Sequence, residues 1–117
     1  MPLTDIAAFL ASCRAAELTF PFGPQAQVYK VKGKMFATLS QRETQALLTL
    51  KATPADVTLL VDEFAAITPG YYMNKQHWIS IDLHGDLSDA MLIDLINNSY
   101  QLVVATLKKS EREELAR

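Results

Sequence analysis

Residues 27–39 restrict the fold of this chain more than any other stretch. Gln27-Val28-Tyr29-Lys30-Val31 and Lys34-Met35-Phe36-Ala37-Thr38-Leu39 are rich in β-branched and aromatic residues, and only Lys32-Gly33 separates them. Two such runs about a glycine-containing turn predict an antiparallel hairpin. A loop of only Lys32-Gly33 sets Val31 opposite Lys34 and Tyr29 opposite Phe36. A longer loop changes that register and leaves open which face each lysine takes. Either way, the fold must contain an antiparallel sheet.

The flanking sequence supplies the partners of that sheet. Thr4 is the predicted N-cap of a first helix from Asp5 to Ala16, with Ile6, Leu10 and Cys13 on one buried stripe. Cys13 reads as a small core residue. Phe20-Pro21-Phe22-Gly23-Pro24 ends any helix and reads as a rigid aromatic connection. A third strand is predicted from Ala46 to Lys51, with Leu48 and Leu50 inward. Thr53-Pro54 marks a helix start, and Val57, Leu60, Val61 and Phe64 form its apolar stripe. Another strand runs from His77 to Leu83, where Ile79, Ile81 and Leu83 alternate with Trp78, Ser80 and Asp82. Ser88 caps a last helix carrying Leu92, Ile96, Tyr100, Val103 and Leu107, and Lys108 to Arg117 reads as a charged, frayed helical end. The order predicts one α+β domain over residues 1–117, a twisted antiparallel sheet with helices packed on one face.

Composition narrows the class of protein. Of 117 residues, half are hydrophobic and 21% charged, which is globular usage and not that of a disordered chain. No apolar run approaches the roughly 18–20 residues that span a bilayer, and the N-terminus lacks the pattern of a secretory signal. The lone Cys13 cannot close an internal disulfide, so a reducing, cytoplasmic setting is expected. The net charge of −2 gives no global reason to expect nucleic acid. Its distribution is uneven, with a balance of +3 over residues 1–51 and −5 over residues 52–117.

Four blocks resemble the MmcQ/YjbR family in order and spacing: Phe20-Pro21-Phe22-Gly23-Pro24; the hairpin from Val28 to Phe36; Pro69-Gly70-Tyr71 with Met73-Asn74-Lys75 and His77-Trp78; and Ser99-Tyr100-Gln101-Leu102-Val103. The resemblance implies a frataxin-like (CyaY-like) fold and the DNA-binding role commonly ascribed to that family. Tyr72 and Gln76 stand where the family pattern has histidine and a second lysine. The acidic first helix through which frataxins handle iron is not matched, since only Asp5 and Glu17 flank Arg14 here.

The candidate site follows from residue chemistry. Lys30, Lys32 and Lys34 surround the hairpin tip and suit phosphate contacts; the competing reading is a solubilising tip that discourages strand addition. Lys75 and Asn74 offer a cation and an amide, His77 a hydrogen-bonding ring, and Trp78 a stacking face. In the competing reading Trp78 closes one end of the core and His77 bonds to backbone. The expected function is a non-catalytic nucleic-acid (DNA) binding module, and the alternative is a protein- or small-ligand-interaction domain using Tyr71, Tyr72, His77 and Trp78. No cofactor, metal or membrane partner is expected. His77 and His84 lie about 23 Å apart if the chain between them is extended. No phosphate-binding glycine loop is present.

Overall fold

The computed structural model describes residues 1–42, 44–70 and 74–117, apart from the side chain of Arg42. The chain order is α1 (Leu3–Ser12), β1 (Ala16–Thr19), β2 (Ala26–Val31), β3 (Lys34–Arg42), β4 (Gln45–Lys51), α2 (Pro54–Glu63), β5 (Ile67–Pro69), β6 (Trp78–Asp82), α3 (Asp89–Val104) and α4 (Lys109–Ala116). The strands form one six-stranded sheet in the order β1-β2-β3-β4-β6-β5, every pair antiparallel. This is the α+β architecture expected.

The hairpin turns at Lys32-Gly33, where φ is +49° and +80°. Two consecutive positive φ values are what a type I′ turn requires, and its twist matches that of the strands it joins. Val31 faces Lys34 as expected, but Tyr29 pairs with Ala37, not with Phe36. A β-bulge between Tyr29 and Lys30 shifts the register and leaves Phe36 as the extra residue of β3. Phe36 and Ala37 both join the core, so the bulge turns an additional large side chain inward.

Alternation along the strands divides the sheet into two faces. Tyr29, Ala37, Leu39, Leu48, Leu50, Ile67, Ile79 and Ile81 lie on one face and belong to a single hydrophobic cluster with Ile6 and Leu10 of α1, Val57 of α2, and Leu92, Ile96 and Val103 of α3. The helices thus cover that face, as expected. The other face carries Val28, Lys30, Met35, Thr38, Thr49, Lys51, Trp78 and Ser80, and none of these belongs to the cluster or packs against it as an apolar neighbour.

α3 is tied into the sheet by one hydroxyl. Ser99 is fully buried, accepts from the Lys51 N–H at 2.8 Å and donates to the Phe36 carbonyl at 2.6 Å. The β3–β4 ladder stops at Ala37–Leu50. Ser99 therefore completes the backbone hydrogen bonding that the bulge at Phe36 interrupts. Beside it, Tyr100 meets Phe36 edge-on, with ring centroids 5.3 Å apart, and its O–H donates to the Arg14 carbonyl.

Several boundaries differ from the expectations. α1 begins at Leu3 with Pro2 at the cap position and no side-chain cap, so Thr4 lies within the helix. It ends at Ser12, and Ala15 takes a positive φ that redirects the chain into β1, a strand not expected. Strand β5 is likewise unexpected. Thr53 and Ser88 do cap α2 and α3, accepting from the Asp56 and Met91 N–H groups. The charged tail folds as the separate helix α4, with Leu115 packed against the core and Glu111 accepting from the Lys108 N–H.

Candidate functional site

The topology collects the basic side chains at one end of the sheet. That end is formed by the β2–β3 turn, the start of β1, the ends of β4 and β5, the start of β6 and the C-terminal end of α3. Every lysine and arginine except Arg42 lies on an element or connection at this end, including Arg14, Lys51, Lys75 and the bases of α4. Among the described residues, Glu17, Asp56 and the three glutamates of α4 are the acids there. Asp5, Asp62, Glu63, Asp82, Asp86, Asp89 and Asp94 lie toward the opposite end. The N-terminal ammonium, 2.8 Å from Asp89, fixes the start of α1 against the start of α3 at that acidic end.

The hairpin lysines divide into two groups. Lys32 is ion-paired with Glu114 of α4 at 2.5 Å, and the hydrogen bond to that carboxylate holds its ammonium above the ordinary value. Lys34 donates to the Thr106 carbonyl at 3.1 Å and lies 3.3 Å from the Thr106 hydroxyl. It meets carbonyls at a helix C-terminus, where a cation is favoured. These two lysines thus fasten the hairpin to the C-terminal elements. Lys30 differs, because it stands on the open face opposite Glu17 on one side and Met35 on the other.

Trp78 also lies on the open face. It is half-buried, starts β6, and pairs in register with Lys51. Its neighbour Gly70 donates its N–H to the Trp78 carbonyl at 2.7 Å, and a Cβ on Gly70 would lie only 2.6 Å from the Trp78 Cβ. Glycine at 70 therefore lets the tryptophan lie close against the end of β5. Across the sheet from Trp78, one strand spacing of about 4.8 Å reaches Lys51 and three reach Lys30, about 14 Å away. The side-chain ammonium groups of Lys30, Lys51 and Lys75 have no hydrogen bond or ion pair among the described residues.

Behind this basic row runs a row of hydroxyls. Thr38 pairs with Thr49, Thr49 with Ser80 and Ser80 with Thr68. Thr49 Oγ1 and Ser80 Oγ are 3.2 Å apart, and both residues are buried among their neighbours. The Thr49 and Ser80 hydroxyls satisfy one another, Thr68 donates to the Ser80 carbonyl at 3.5 Å, and the row forms the floor of the surface.

The loop residues have structural duties as well. Asn74 Oδ1 accepts from the Gln76 N–H at 2.9 Å, and the Asn74 carbonyl accepts from the His77 N–H at 3.1 Å. Asn74 thus shapes its own turn. The His77 carbonyl accepts from the Ala52 N–H at 2.9 Å, anchoring the turn to the end of β4. Lys75 is exposed on this turn. Tyr71 and Tyr72, which the alternative reading used, lie outside the described residues.

The sequence-expected set is therefore only partly gathered. Lys30, Lys75 and Trp78 share the basic end with unengaged side chains, whereas Lys32 and Lys34 are held by other residues. Lys51 was missed, and its alternation with Leu48 and Leu50 was the available signal. A separate cleft of about 500 Å³ lies at the acidic end, lined by residues including Leu3, Ala7, Gln25, Gln27, Leu39 and Gln41. Among the described residues, none that line it is ionisable. Burial raises the Cys13 thiol pKa, and its Sγ lies 3.7 Å from the Phe9 carbonyl. This thiol is therefore poorly suited to act as a nucleophile.

These features define a six-stranded antiparallel α+β domain with one open, basic sheet face. The YjbR family model matches residues 11–102, and the chain belongs to that family. It is 40% identical over 99 residues to the uncharacterised protein YbdF of Escherichia coli O157:H7, covering 85% of this chain and 81% of that one. It is 27% identical to the uncharacterised protein YjbR of Escherichia coli K12, over 98% of each. Among solved structures, a Deinococcus radiodurans protein with a DUF419 domain superposes with a TM-score of 0.87 at 31% identity, covering 97% of this chain and 87% of that one. A Pseudomonas syringae protein gives a TM-score of 0.77 at 25% identity, over 87% of this chain and 98% of its own.

Proposed function

We propose that this chain binds nucleic acid, single-stranded DNA in the first instance, on the open face of its sheet at the basic end. The observation carrying the proposal is that Trp78 and Lys51 are register partners on a face no helix covers, with Lys30 in the same row and Lys75 on the adjoining turn. An aromatic ring on a sheet surface gives a base a stacking platform, worth about 1–3 kcal/mol per base. Lys30 and Lys51, two strand spacings or about 10 Å apart, match phosphates one to two nucleotides apart, and Lys75 on the adjoining turn adds a further cation. A duplex is a poorer fit, because its stacked bases offer no free ring face to Trp78. Compared with the sequence expectation, contact moves from the hairpin tip to the sheet face, since Lys32 and Lys34 are already engaged.

The finer reading of the fold is frataxin-like, supported by the antiparallel sheet with helices on one side. The cytoplasm is the compartment we propose. The single half-buried Cys13 suits it, and no helix among the described residues is long and apolar enough to cross a membrane.

The test is fluorescence anisotropy of a labelled oligothymidine against the wild type and the Lys30→Glu/Lys51→Glu/Lys75→Glu variant. Wild-type affinity should fall with salt with a log–log slope near −2, as about three phosphate contacts to a single strand require. The triple variant should lose at least tenfold in affinity while Lys32→Ala stays near wild type. Equal binding by wild type and triple variant would overturn the reading.

A further inference from the structure

The two edges of the sheet are protected very differently. The β5 edge is three residues long and ends in Pro69, which lacks an N–H and resists strand addition. The β1 edge, Ala16-Glu17-Leu18-Thr19, contains neither proline nor lysine. Ala16 turns its N–H back to the Cys13 carbonyl at 3.0 Å instead of toward β2. Strand alternation then sends the N–H and carbonyl of Leu18 outward as well. Leu18 is 45% exposed, and the chain continues through Phe20 at 49% and Phe22 at 78%. Leu59 on α2 is the one other exposed large hydrophobic residue among those described. The open backbone groups of Leu18 thus coincide with its own exposed side chain and lie close to the exposed rings of Phe20 and Phe22.

We propose that the β1 edge pairs with the β1 edge of a second copy of this chain, antiparallel and two-fold symmetric about Leu18. Charge complementarity selects this occupant. The bases lie at the end of the sheet where β1 begins, and most acids lie where it ends. Antiparallel pairing sets the basic end of each copy beside the acidic end of the other, whereas parallel pairing would oppose like ends. A two-fold contact also makes the patch its own complement. The Leu18 residues of the two copies face one another, and Glu17 of each lies opposite Thr19 of the other. Phe20 and Phe22 of each copy lie beside the junction and shield its hydrogen bonds from water. The result is a continuous twelve-stranded sheet that joins two open faces end to end.

The experiment is analytical ultracentrifugation of the full chain from about 5 μM to 1 mM, at low and at 0.5 M salt. Association to a dimer is expected, weakening several-fold in high salt. Leu18→Lys, which adds a charge at an already exposed position, should be monomeric throughout with an unchanged circular dichroism spectrum. As a second readout, Leu18→Cys in a Cys13→Ser background should be joined into a covalent dimer by a short bismaleimide crosslinker, because directly opposed residues bring their Cβ atoms to about 5 Å. A wild-type chain that stays monomeric at 1 mM would overturn the proposal, as would a dimer whose affinity Leu18→Lys leaves unchanged. Neither result depends on nucleic acid.

Discussion

The covered and open faces of the sheet are made from alternate residues of the same strands, yet they solve opposite problems. On the covered face, Leu48, Leu50, Ile79 and Ile81 are almost wholly removed from water and hold three helices in place. On the open face, Thr49 and Ser80 are nearly as buried, yet they hold hydroxyls 3.2 Å apart and add nothing to the apolar cluster. There the basic and aromatic groups at one end face solvent. Burial alone therefore does not separate structural from functional positions in this sheet. What separates them is whether the side chain adds to the apolar cluster.

The sharpest way to break this comparison is to truncate one residue from each face. Leu48→Ala should cost about 3 kcal/mol in urea unfolding, because it leaves a cavity under α3. Thr38→Ala, on the other face, should stay within about 0.5 kcal/mol. Equal losses would mean that the open face carries packing not recognised here. An effect of similar size tests the junction between helix and sheet. Ser99→Ala strands the Lys51 N–H and the Phe36 carbonyl together, and each buried unpaired group costs about 1–3 kcal/mol. A loss near 2–4 kcal/mol in the same unfolding experiment is expected, and a neutral result would refute the role of Ser99 as a replacement for the ladder.

The smallest effect concerns the hairpin lysines. The ammonium of Lys32 is held above its ordinary 10.5 chiefly by the hydrogen bond to Glu114. A raised lysine pKa stabilises the fold at pH below the unfolded-state value, and the gain disappears as pH rises through the folded-state value. The pair is exposed, so the gain is small. Melting temperatures of wild type and Glu114→Gln should therefore differ slightly near pH 8 and converge as pH rises through the raised folded-state value of Lys32. A difference that grows with pH would show that Lys32 is not paired as described.

Much of the architecture was legible because it rests on local signals. Lys32-Gly33 needs two positive φ values, Thr53-Pro54 and Ser88 supply caps, and Ile79 and Ile81 alternate toward the core. Strands β1 and β5 escaped notice because four and three residues carry too little alternation to declare themselves. Their extended form comes from pairing with β2 and β6. The bulge at Phe36 was hidden for the same reason, since it is satisfied by Ser99, sixty-three residues away in sequence. The candidate site was half legible. Trp78 and Lys75 stood out by residue type, but the pairing of Lys51 with Trp78 depends on β4 lying beside β6. The engagement of Lys32 and Lys34 depends on where α3 ends and how α4 docks. The segregation of charge is likewise spatial, as the +3 and −5 balances of the two sequence segments only faintly foreshadow the two ends of the sheet.

The central claim is that the open face at Trp78 is a binding surface, and fluorescence of this single tryptophan tests it most directly. Titration with oligothymidine at 20 mM and 200 mM salt is expected to give saturable quenching whose affinity falls about a hundredfold at the higher salt. An unchanged emission spectrum at 20 mM salt, with oligonucleotide in large excess, would contradict it.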